Sequence, residues 1–399
     1  MSSAMNNFMF LNFLLAALFV AQNVSAQEKE EHSPDEMCLV ATITGVGGPP
    51  PHAGKAQSGV FFQYGDIESG CDSVRLQFDA GRGTLMRLSQ IKTKKRPGFV
   101  TPQSLDALFI THAHSDHTSS LPDIISTRWI LSKNDGQFSS APPPAGNYSP
   151  LPVICPGSSC GVVRRATHMW DREEIPSRAK GDYRTTRPKA DIRKFKTRKS
   201  ESQIVWEGGD VVVSAIAVPH IKDSVGYLVS TPAGRICVSG DTALSENLVK
   251  LCDKADFLIQ DSVHPVIKSV YENPPANTDP KFVEIIKSVY QKHTDPADLN
   301  IFNGAVANIV MTHLTPAVGA GGFQGIPLIP YLNKDNPGRR KGPLNSEDFC
   351  QVLVASGYTG GQYLAVDLMK IKLVGGKATV SSPEKSPGTN CEDILKPQN

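Results

Sequence analysis

The chain has 399 residues, with 41 lysines and arginines against 39 aspartates and glutamates, so its formal charge is close to neutral. This balance excludes a general electrostatic attraction to nucleic acid, and any such contact would have to be local. The length suffices for one large domain or two ordinary ones, each with a substantial core.

The N-terminal segment predicts a secretory signal peptide over residues 1–26. An apolar run from Phe8 to Val20 is followed by small residues that end at Ala26, which is the pattern of a cleaved signal, although no Lys or Arg precedes the run. A membrane anchor is the alternative, but the run falls short of the roughly 20 residues that a span needs. Residues 27–37 are expected to be a linker. The expected location is periplasmic or secreted, without membrane association after cleavage.

The chain contains an even set of cysteines: Cys38, Cys71, Cys155, Cys160, Cys237, Cys252, Cys350 and Cys391. In an oxidising compartment such a set predicts disulfides, although most of the pairing stays open. Cys155 and Cys160 flank the turn in "CPGSSC" and form the best local candidate, with two independent buried thiols as the alternative. Cys237 lies inside the apolar run "RICVSGD" and is predicted to be a free core thiol.

The first half of the chain predicts strands that lead into a helix. "CLVATITGVGGPP" is typical of a strand and turn, "SGVFFQYGD" and "SVRLQFDAG" of a hairpin, and "LDALFITHAHSDH" of a buried strand. A helix is expected in "SSLPDIISTRWIL". Residues 132–200 are expected to be a loop-rich insertion, in which "NYS" at Asn147 is a glycosylation sequon only in a eukaryotic host. Its basic part, from Arg164 to Lys199, predicts an exposed surface that could concentrate an anionic substrate.

The second half repeats this order of strands and helices. Strands are predicted at "DVVVSAIAVPH", "VGYLVST", "GRICVSGD", "DFLIQD", "NIVMTHL" and "YLAVDLMKIKL", with helices from Ser245, at "PKFVEIIKSVYQK", after Asp295 and at "NSEDFCQVLVAS". Two similar halves predict an α/β fold in which two sheets pack face to face with helices outside, a four-layer αββα sandwich. One domain is expected over residues 38–375, with a tail over 376–399.

A cluster of potential metal ligands follows the predicted strand at 107–111. His112, His114, Asp116 and His117 form an H-x-H-x-D-H motif. Imidazole and carboxylate groups together suit zinc or a similar divalent ion. Three further residues of this kind end later apolar runs: His220, Asp241 and His313. The repeated strand-end placement predicts that these residues meet at one site.

These motifs resemble the metallo-β-lactamase superfamily, in the branch that contains ribonuclease Z and the zinc-dependent arylsulfatases. The resemblance covers residues 38–375 through "LQFDAGRGT", the H-x-H-x-D-H motif, "PHIKDSVGYLV", "SGDT", "MTHLTP" and the closing "AVDLMKIKL". It implies the metallo-β-lactamase fold and a hydrolase with two zinc ions, for which Mn or Fe are alternatives. The nucleophile would be a hydroxide shared by the two ions.

The resemblance also implies a role for each site residue. His112, His114 and His220 would bind one zinc, Asp116, His117 and His313 the other, and Asp241 would bridge them. Asp79 would be a structural carboxylate that orients the metal-binding loop. Asp116 and His293 would be the catalytic residues, with His293 donating a hydrogen bond or proton to the leaving group.

Two departures from ribonuclease Z bear on the substrate. Only 20 residues separate His220 from Asp241, which leaves no room for the long arm that holds tRNA, and Gln260 stands where that enzyme has a histidine. Together with export, these differences favour a small anionic ester, first an aryl sulfate, with a phosphodiesterase or ribonuclease Z-like nuclease as the alternative. Nucleic acid is not expected as a partner, and a homodimer is compatible with the resemblance.

Two interpretations of other classes compete with this one. "GSSCG" matches the nucleophile-elbow pattern G-x-S-x-G and would make Ser159 a nucleophile, but it leaves the strand-end histidines unexplained. The second interpretation is that the chain is a non-catalytic exported protein that binds zinc or acts as a scaffold. Structural zinc sites are usually closed and rich in cysteine, whereas this set offers histidine and aspartate.

Overall fold

The computed structural model describes residues 33–94, 98–131, 149–181, 187–383 and 389–396. The predicted signal peptide, most of the linker and the Asn147 sequon lie outside these ranges. Within them, no helix combines the length and apolar character needed to cross a bilayer. All of the elements below belong to one unit, residues 34–399.

The strands of the described ranges are β1 (Met37–Gly45), β2 (Gly59–Asp66), β3 (Val74–Phe78), β4 (Ala107–Phe109), β5 (Leu151–Pro156), β6 (Ala190–Phe195), β7 (Gln203–Gly208), β8 (Val211–Ala217), β9 (Val225–Thr231), β10 (Gly234–Val238), β11 (Phe257–Val263), β12 (Asn308–Thr315), β13 (Gly322–Phe323), β14 (Ile326–Pro327), β15 (Gly361–Leu364), β16 (Lys370–Val374) and β17 (Lys377–Ser381). The α-helices are α1 (Thr84–Leu88), α2 (Ser115–Thr118), α3 (Leu121–Leu131), α4 (Cys160–Thr167), α5 (Glu174–Gly181), α6 (Glu246–Leu251), α7 (Val266–Glu272), α8 (Pro280–Gln291), α9 (Ile329–Asp335), α10 (Ser346–Ala355) and α11 (Cys391–Leu395). The helix predicted after Asp295 is a 3₁₀ helix, Pro296–Phe302.

Two large sheets form the centre of the fold. The first has eight strands in the order β17-β16-β1-β2-β3-β4-β5-β6, and the second has seven in the order β15-β12-β11-β10-β9-β8-β7. In the second sheet β10, β11, β12 and β15 are parallel, and β8 runs in the same direction as β10 because both pair antiparallel with β9. The carboxyl ends of β8, β10, β11 and β12 therefore meet at one edge.

Side-chain alternation along the strands produces four layers. In β2, Phe62 belongs to the core between the two sheets, whereas its neighbour Phe61 belongs to a second core beneath helices α3 and α4. In β11, Ile259 faces the inter-sheet core and Leu258 faces a third core that includes residues of α7, α8 and α10. Because successive side chains of a strand point to opposite faces, each sheet buries both of its faces. This arrangement confirms the predicted αββα sandwich.

The C-terminal part of the chain differs from its prediction. "YLAVDLMKIKL" is not a single strand, because β15 pairs with β12 in the second sheet and β16 pairs with β1 in the first. The bend between them carries the chain from one sheet to the other. Beyond residue 375, in the expected tail, β17 extends the first sheet and α11 packs against α10.

All eight cysteines are paired. The four disulfides are Cys38–Cys71, Cys155–Cys160, Cys237–Cys252 and Cys350–Cys391. The pair in "CPGSSC" was predicted, but the prediction of a free thiol at Cys237 was wrong. Cys252 directly follows helix α6 and lies in the same buried core as Cys237 of β10, and this packing brings the two sulfur atoms together.

Candidate metal centre

The first group of ligand atoms joins the loop after β4 with the loop after β8. His220 Nε2 lies 3.1 Å from His114 Nδ1 and 3.6 Å from Asp241 Oδ2. His112 Nε2 lies 3.7 Å from the same Asp241 oxygen. One ligand atom from each of these four residues fits within 4.8 Å of the others, which is close enough to surround a single ion.

The second group lies on the other side of Asp241. Its Oδ1 atom is 3.1 Å from His117 Nε2 and 3.4 Å from His313 Nε2. His313 Nε2 is in turn 2.9 Å from Asp116 Oδ2. Asp116, His117, Asp241 and His313 again offer ligand atoms within 4.8 Å of one another, and all four side chains are buried. The two carboxylate oxygens of Asp241 therefore face different groups, which is the arrangement of a bridging ligand.

The local fold explains how six consecutive residues supply ligands to both groups. His114 precedes the single turn of helix α2, and its carbonyl accepts hydrogen bonds from the His117 amide and the Thr118 hydroxyl. This turn directs Asp116 and His117 away from the extended segment that carries His112 and His114. The motif is therefore divided between the two groups at the point where the extended chain becomes helical.

Contacts around the centre fix the orientation of three imidazole rings. Nδ1 of His112 lies 3.0 Å from the Thr111 hydroxyl, Nδ1 of His117 lies 2.7 Å from Asp79 Oδ2, and Nδ1 of His220 lies 2.9 Å from the Lys292 carbonyl. Each ring thus keeps Nε2 for the shared space. Partners of this kind set the tautomer of metal-binding histidines and raise their basicity.

Asp79 is itself held rigidly. The Thr111 amide donates to its Oδ1 and the Thr111 hydroxyl to its Oδ2, both at 2.8 Å. The residue is 2 % exposed and has a left-handed backbone with φ of 55°. These contacts hold the Asp79 carboxylate in place beside the His117 ring.

The chemistry of the donor set fits divalent ions. With zinc–nitrogen bonds of about 2.0–2.1 Å, ligand atoms on a tetrahedral ion lie roughly 3.3 Å apart, and the contacts above span 2.9–3.7 Å. Within the described residues, His112 Nε2, His117 Nε2 and Asp241 Oδ1 are buried and lack a hydrogen bond of good geometry. Buried polar atoms without partners are costly, and bound cations would satisfy them.

The electrostatics of the second group also favour cations. Burial alone would raise the pKa of Asp241, but the charges of His117 and His313 outweigh it and hold that pKa well below its ordinary value. Burial lowers the pKa of His313, yet Asp241 and Asp116 reverse this effect and raise it to about 9. The buried carboxylates thus favour positive charge on their neighbours. Bound cations would supply that charge, and the histidines would then bind in their neutral form.

His293 lies beside the centre rather than within either group. Its Nδ1 is 2.9 Å from Asp261 Oδ2, and its ring stacks on His313 with 5.5 Å between ring centres. The other oxygen of Asp261 accepts a hydrogen bond from Gln260 at 2.7 Å. Asp241, Asp261 and His293 also form a compact group. Because Asp261 and His293 bind each other, they are better explained as a hydrogen-bonded pair than as ligands of a third ion.

Sequence reasoning missed Asp261, which lies beside the candidate ligands as the hydrogen-bond partner of His293. In the sequence Asp261 closes the apolar run "DFLIQD", as Asp241 closes "ICVSGD", and that signal could have identified it. His264, close by in sequence, is buried elsewhere against Phe349. Ser159 is fully buried in a 3₁₀ turn, so its hydroxyl is not exposed as a nucleophile.

Part of the chain is similar to a known protein family. Residues 75–265 match the β-lactamase superfamily domain. The chain is 24% identical over 288 residues to ribonuclease Z of Mycobacterium bovis (strain BCG / Pasteur 1173P2), covering 71% of the chain and 88% of the relative. It is 28% identical over 286 residues to ribonuclease Z of Mycolicibacterium paratuberculosis (strain ATCC BAA-968 / K-10), with the same coverage.

Among solved structures, the chain is similar to the metallo-β-lactamase fold protein YhfI from Bacillus subtilis. The identity is 15% and the TM-score 0.49, with 84% of this chain and 99% of that one covered. The short form of human tRNase Z is 20% identical with a TM-score of 0.47, over 69% of this chain and 92% of that one. Over residues 75–265 the chain is therefore similar to the β-lactamase superfamily domain.

Proposed function

We propose that the protein is a metal-dependent hydrolase of a small anionic ester, with a phosphodiester as the first candidate. The observation that carries this proposal is Asp241, whose two oxygens each face a separate group of ligands. Such a site suits two divalent ions, most simply zinc. When bound, two such ions lower the pKa of water and offset the negative charge that develops on the ester.

The protein residues have distinct roles in this proposal. Asp241 fixes the spacing of the two groups, and Asp79 keeps Nε2 of His117 directed into the site through its contact with Nδ1. Asp261 holds Nδ1 of His293 in the same way. In its imidazolium form, His293 can then donate the Nε2 proton to the leaving oxygen, while the Asp261 carboxylate stabilises the charged ring.

The choice of a phosphodiester rests on two kinds of support. The relatives reported above are named ribonuclease Z, which supports phosphodiester chemistry. The 20 residues between His220 and Asp241 support a small substrate, because they leave no room for a tRNA-holding arm. An aryl sulfate is the second candidate, on the sequence resemblance of "AVDLMKIKL" to the closing segment of arylsulfatase-type proteins.

An extracytoplasmic location belongs to the same proposal. The pairing of all eight cysteines supports maturation in an oxidising compartment, since disulfides are rare in proteins kept in reducing ones. Titration of the native protein with a thiol reagent tests this point. It should detect no free thiol before reduction and eight afterwards.

Initial rates on a panel of 4-nitrophenyl esters test the reaction itself. The metal-loaded protein is assayed with 4-nitrophenyl sulfate, 4-nitrophenyl phosphate, bis(4-nitrophenyl) phosphate and 4-nitrophenyl acetate. The diester should be turned over fastest, and His114→Ala should abolish its turnover. His168→Ala is the matched control, because His168 is a surface histidine with 63% of its side chain exposed.

Each other outcome points to a different function. Sulfate turnover that requires His114 would make the protein an arylsulfatase with the same centre. Full metal occupancy without turnover of any ester would favour the non-catalytic zinc-binding or scaffold protein. Turnover that survives chelation of the metal would contradict the proposed chemistry.

A further inference from the structure

A cavity of about 250 Å³ lies beside the metal centre. One wall comes from the Gly/Pro-rich loop after β1, including Gly48, Pro50 and Pro51. The opposite wall comes from the end of β12 and the loop that follows it, including Pro316, Ala320 and Phe323. Both loops begin close to the edge at which the ligand-bearing strands end.

The cavity adjoins the ligand His313 directly. Leu314 and Thr315, the next two residues of β12, line it. Gly48 lies at the junction, where an added Cβ atom would be 3.2 Å from Cε1 and 3.5 Å from Nε2 of His313. Nε2 is the atom that faces Asp116 and Asp241. A molecule bound at the metal centre can therefore extend past Gly48 into the cavity.

The lining is largely apolar. None of the side chains that line the cavity carries a charge with histidine neutral, and the polar ones are His52, Thr315 and Gln324. An apolar cavity of about 150 Å³ is already large enough for benzene. A chamber of this size and polarity suits an uncharged ring. It does not suit the next phosphate of a polynucleotide, which would require cationic partners.

We propose that this cavity receives an uncharged, ring-sized apolar group of the substrate while the anionic head of the ester lies at the metal centre. The proposal rests on the proposed function and narrows its substrate class to esters that carry one aryl or cyclic alkyl group. Ala317 and Ala320 then determine specificity, because a bulky side chain at either lining position would take up much of the chamber.

Ala320 is a suitable position for a substitution that fills the cavity. Its amide donates to Ala317 and its carbonyl accepts from Leu344, at 3.0 and 2.9 Å, so the backbone contacts of the loop do not need the methyl group. Ala320→Phe places a ring into the cavity, and Ala317→Phe does the same from a neighbouring position. Ala378→Phe is the matched control, because Ala378 is an exposed residue of β17.

The test compares two non-hydrolysable anions, benzylphosphonate and methylphosphonate, by calorimetric titration of the metal-loaded protein. The phosphonate group is common to both, so the ratio of their dissociation constants reports the ring alone. We expect the native protein to bind benzylphosphonate about tenfold more tightly or better, as burial of an aromatic ring implies. Both cavity-filling variants should bring the ratio close to one, and Ala378→Phe should preserve it. Circular dichroism confirms that the variants are folded.

A ratio near one in the native protein, a ratio unchanged in both filled variants, or no binding of either phosphonate would overturn the proposal. Its failure is distinguishable from that of the proposed function. If the protein prefers benzylphosphonate but hydrolyses no anionic ester, the proposed role of the cavity stands and the proposed reaction fails. If the protein hydrolyses the esters but does not prefer benzylphosphonate, the proposed reaction stands and the proposed role of the cavity fails.

Discussion

His117 Nδ1 lies 2.7 Å from Asp79 Oδ2, and this contact fixes the ring whose other nitrogen faces Asp241. Replacement by Asp79→Asn keeps the shape but removes the charge. We expect metal affinity to fall by about 10- to 100-fold, as is typical when the partner of a metal-binding histidine is lost. Competition with a chromophoric chelator measures this change.

Asp223→Asn is the control for that experiment. Asp223 shares the left-handed backbone of Asp79, with φ of 63°, and accepts hydrogen bonds from Ser158 and Thr197. Its replacement should leave metal affinity unchanged. Equal losses in the two variants would show that Asp79 acts only through the fold.

The bridging role of Asp241 predicts different metal contents for two variants. Asp116→Asn removes a ligand from one group only, so one tightly bound ion should remain. Asp241→Asn weakens both groups, because an amide offers a single neutral oxygen in place of two charged ones. Elemental analysis after dialysis should find about one ion per chain in the first variant and fewer in the second. The same content in both would argue against a bridge.

The pairing of Asp261 with His293 predicts a loss of general acid catalysis. His293→Gln should lower kcat by about 10²- to 10⁴-fold for esters with a poor leaving group and much less for 4-nitrophenyl esters, with metal content unchanged. Asp261→Asn should show the same dependence on the leaving group. Because the two residues act together, the double variant should be little worse than either single one. Equal losses for all leaving groups would point to a structural role instead.

The disulfide between Cys350 and Cys391 predicts that the C-terminal helix is part of the stable fold. It joins α10 to α11 and closes 41 residues, so its removal by a double Cys→Ser change should cost about 4 kcal/mol of unfolding free energy. Denaturant titration measures this loss. A negligible change would instead make residues 376–399 a dispensable tail.

His264 predicts one source of acid sensitivity away from the metal centre. Burial lowers the pKa of His264 to about 4, and its Nδ1 accepts a hydrogen bond from the Val266 amide. The unfolded chain would take up this proton near pH 6.5 and the folded one only near pH 4. Stability should therefore be unaffected above pH 6.5 and fall as the pH drops towards 4, by about 3 kcal/mol from this residue.

His264→Asn tests this expectation, because the amide oxygen of Asn can accept the same hydrogen bond. The variant should lose less unfolding free energy than the native protein between pH 6.5 and pH 4. Parallel curves for the two proteins would rule out His264 as the source.

Much of the centre could be predicted because its residues share one signal. His112 follows β4 of the first sheet, His220 and Asp241 follow β8 and β10 of the second, and His313 lies near the end of β12, so each is found at the close of an apolar run. Contacts between residues far apart in the chain were harder to predict from the sequence. The prediction of a free thiol at Cys237 was wrong because its partner, Cys252, follows helix α6, and the packing of that helix could not be predicted from the sequence. The apolar pattern of "YLAVDLMKIKL" likewise gives no sign of the bend between the two sheets. The shape of the cavity beside His313 depends on two loops, and loop conformation cannot be predicted from the hydrophobic periodicity of the sequence.

The protein is expected to hydrolyse an anionic ester only when the two ligand groups that meet at Asp241 hold divalent ions. The most direct measurement is the initial rate of bis(4-nitrophenyl) phosphate hydrolysis by the metal-free protein as zinc is added. The rate should start at background, rise to a plateau at two equivalents per chain, and stay at background in His114→Ala. Full activity without added metal, or background activity with two ions bound, would contradict it.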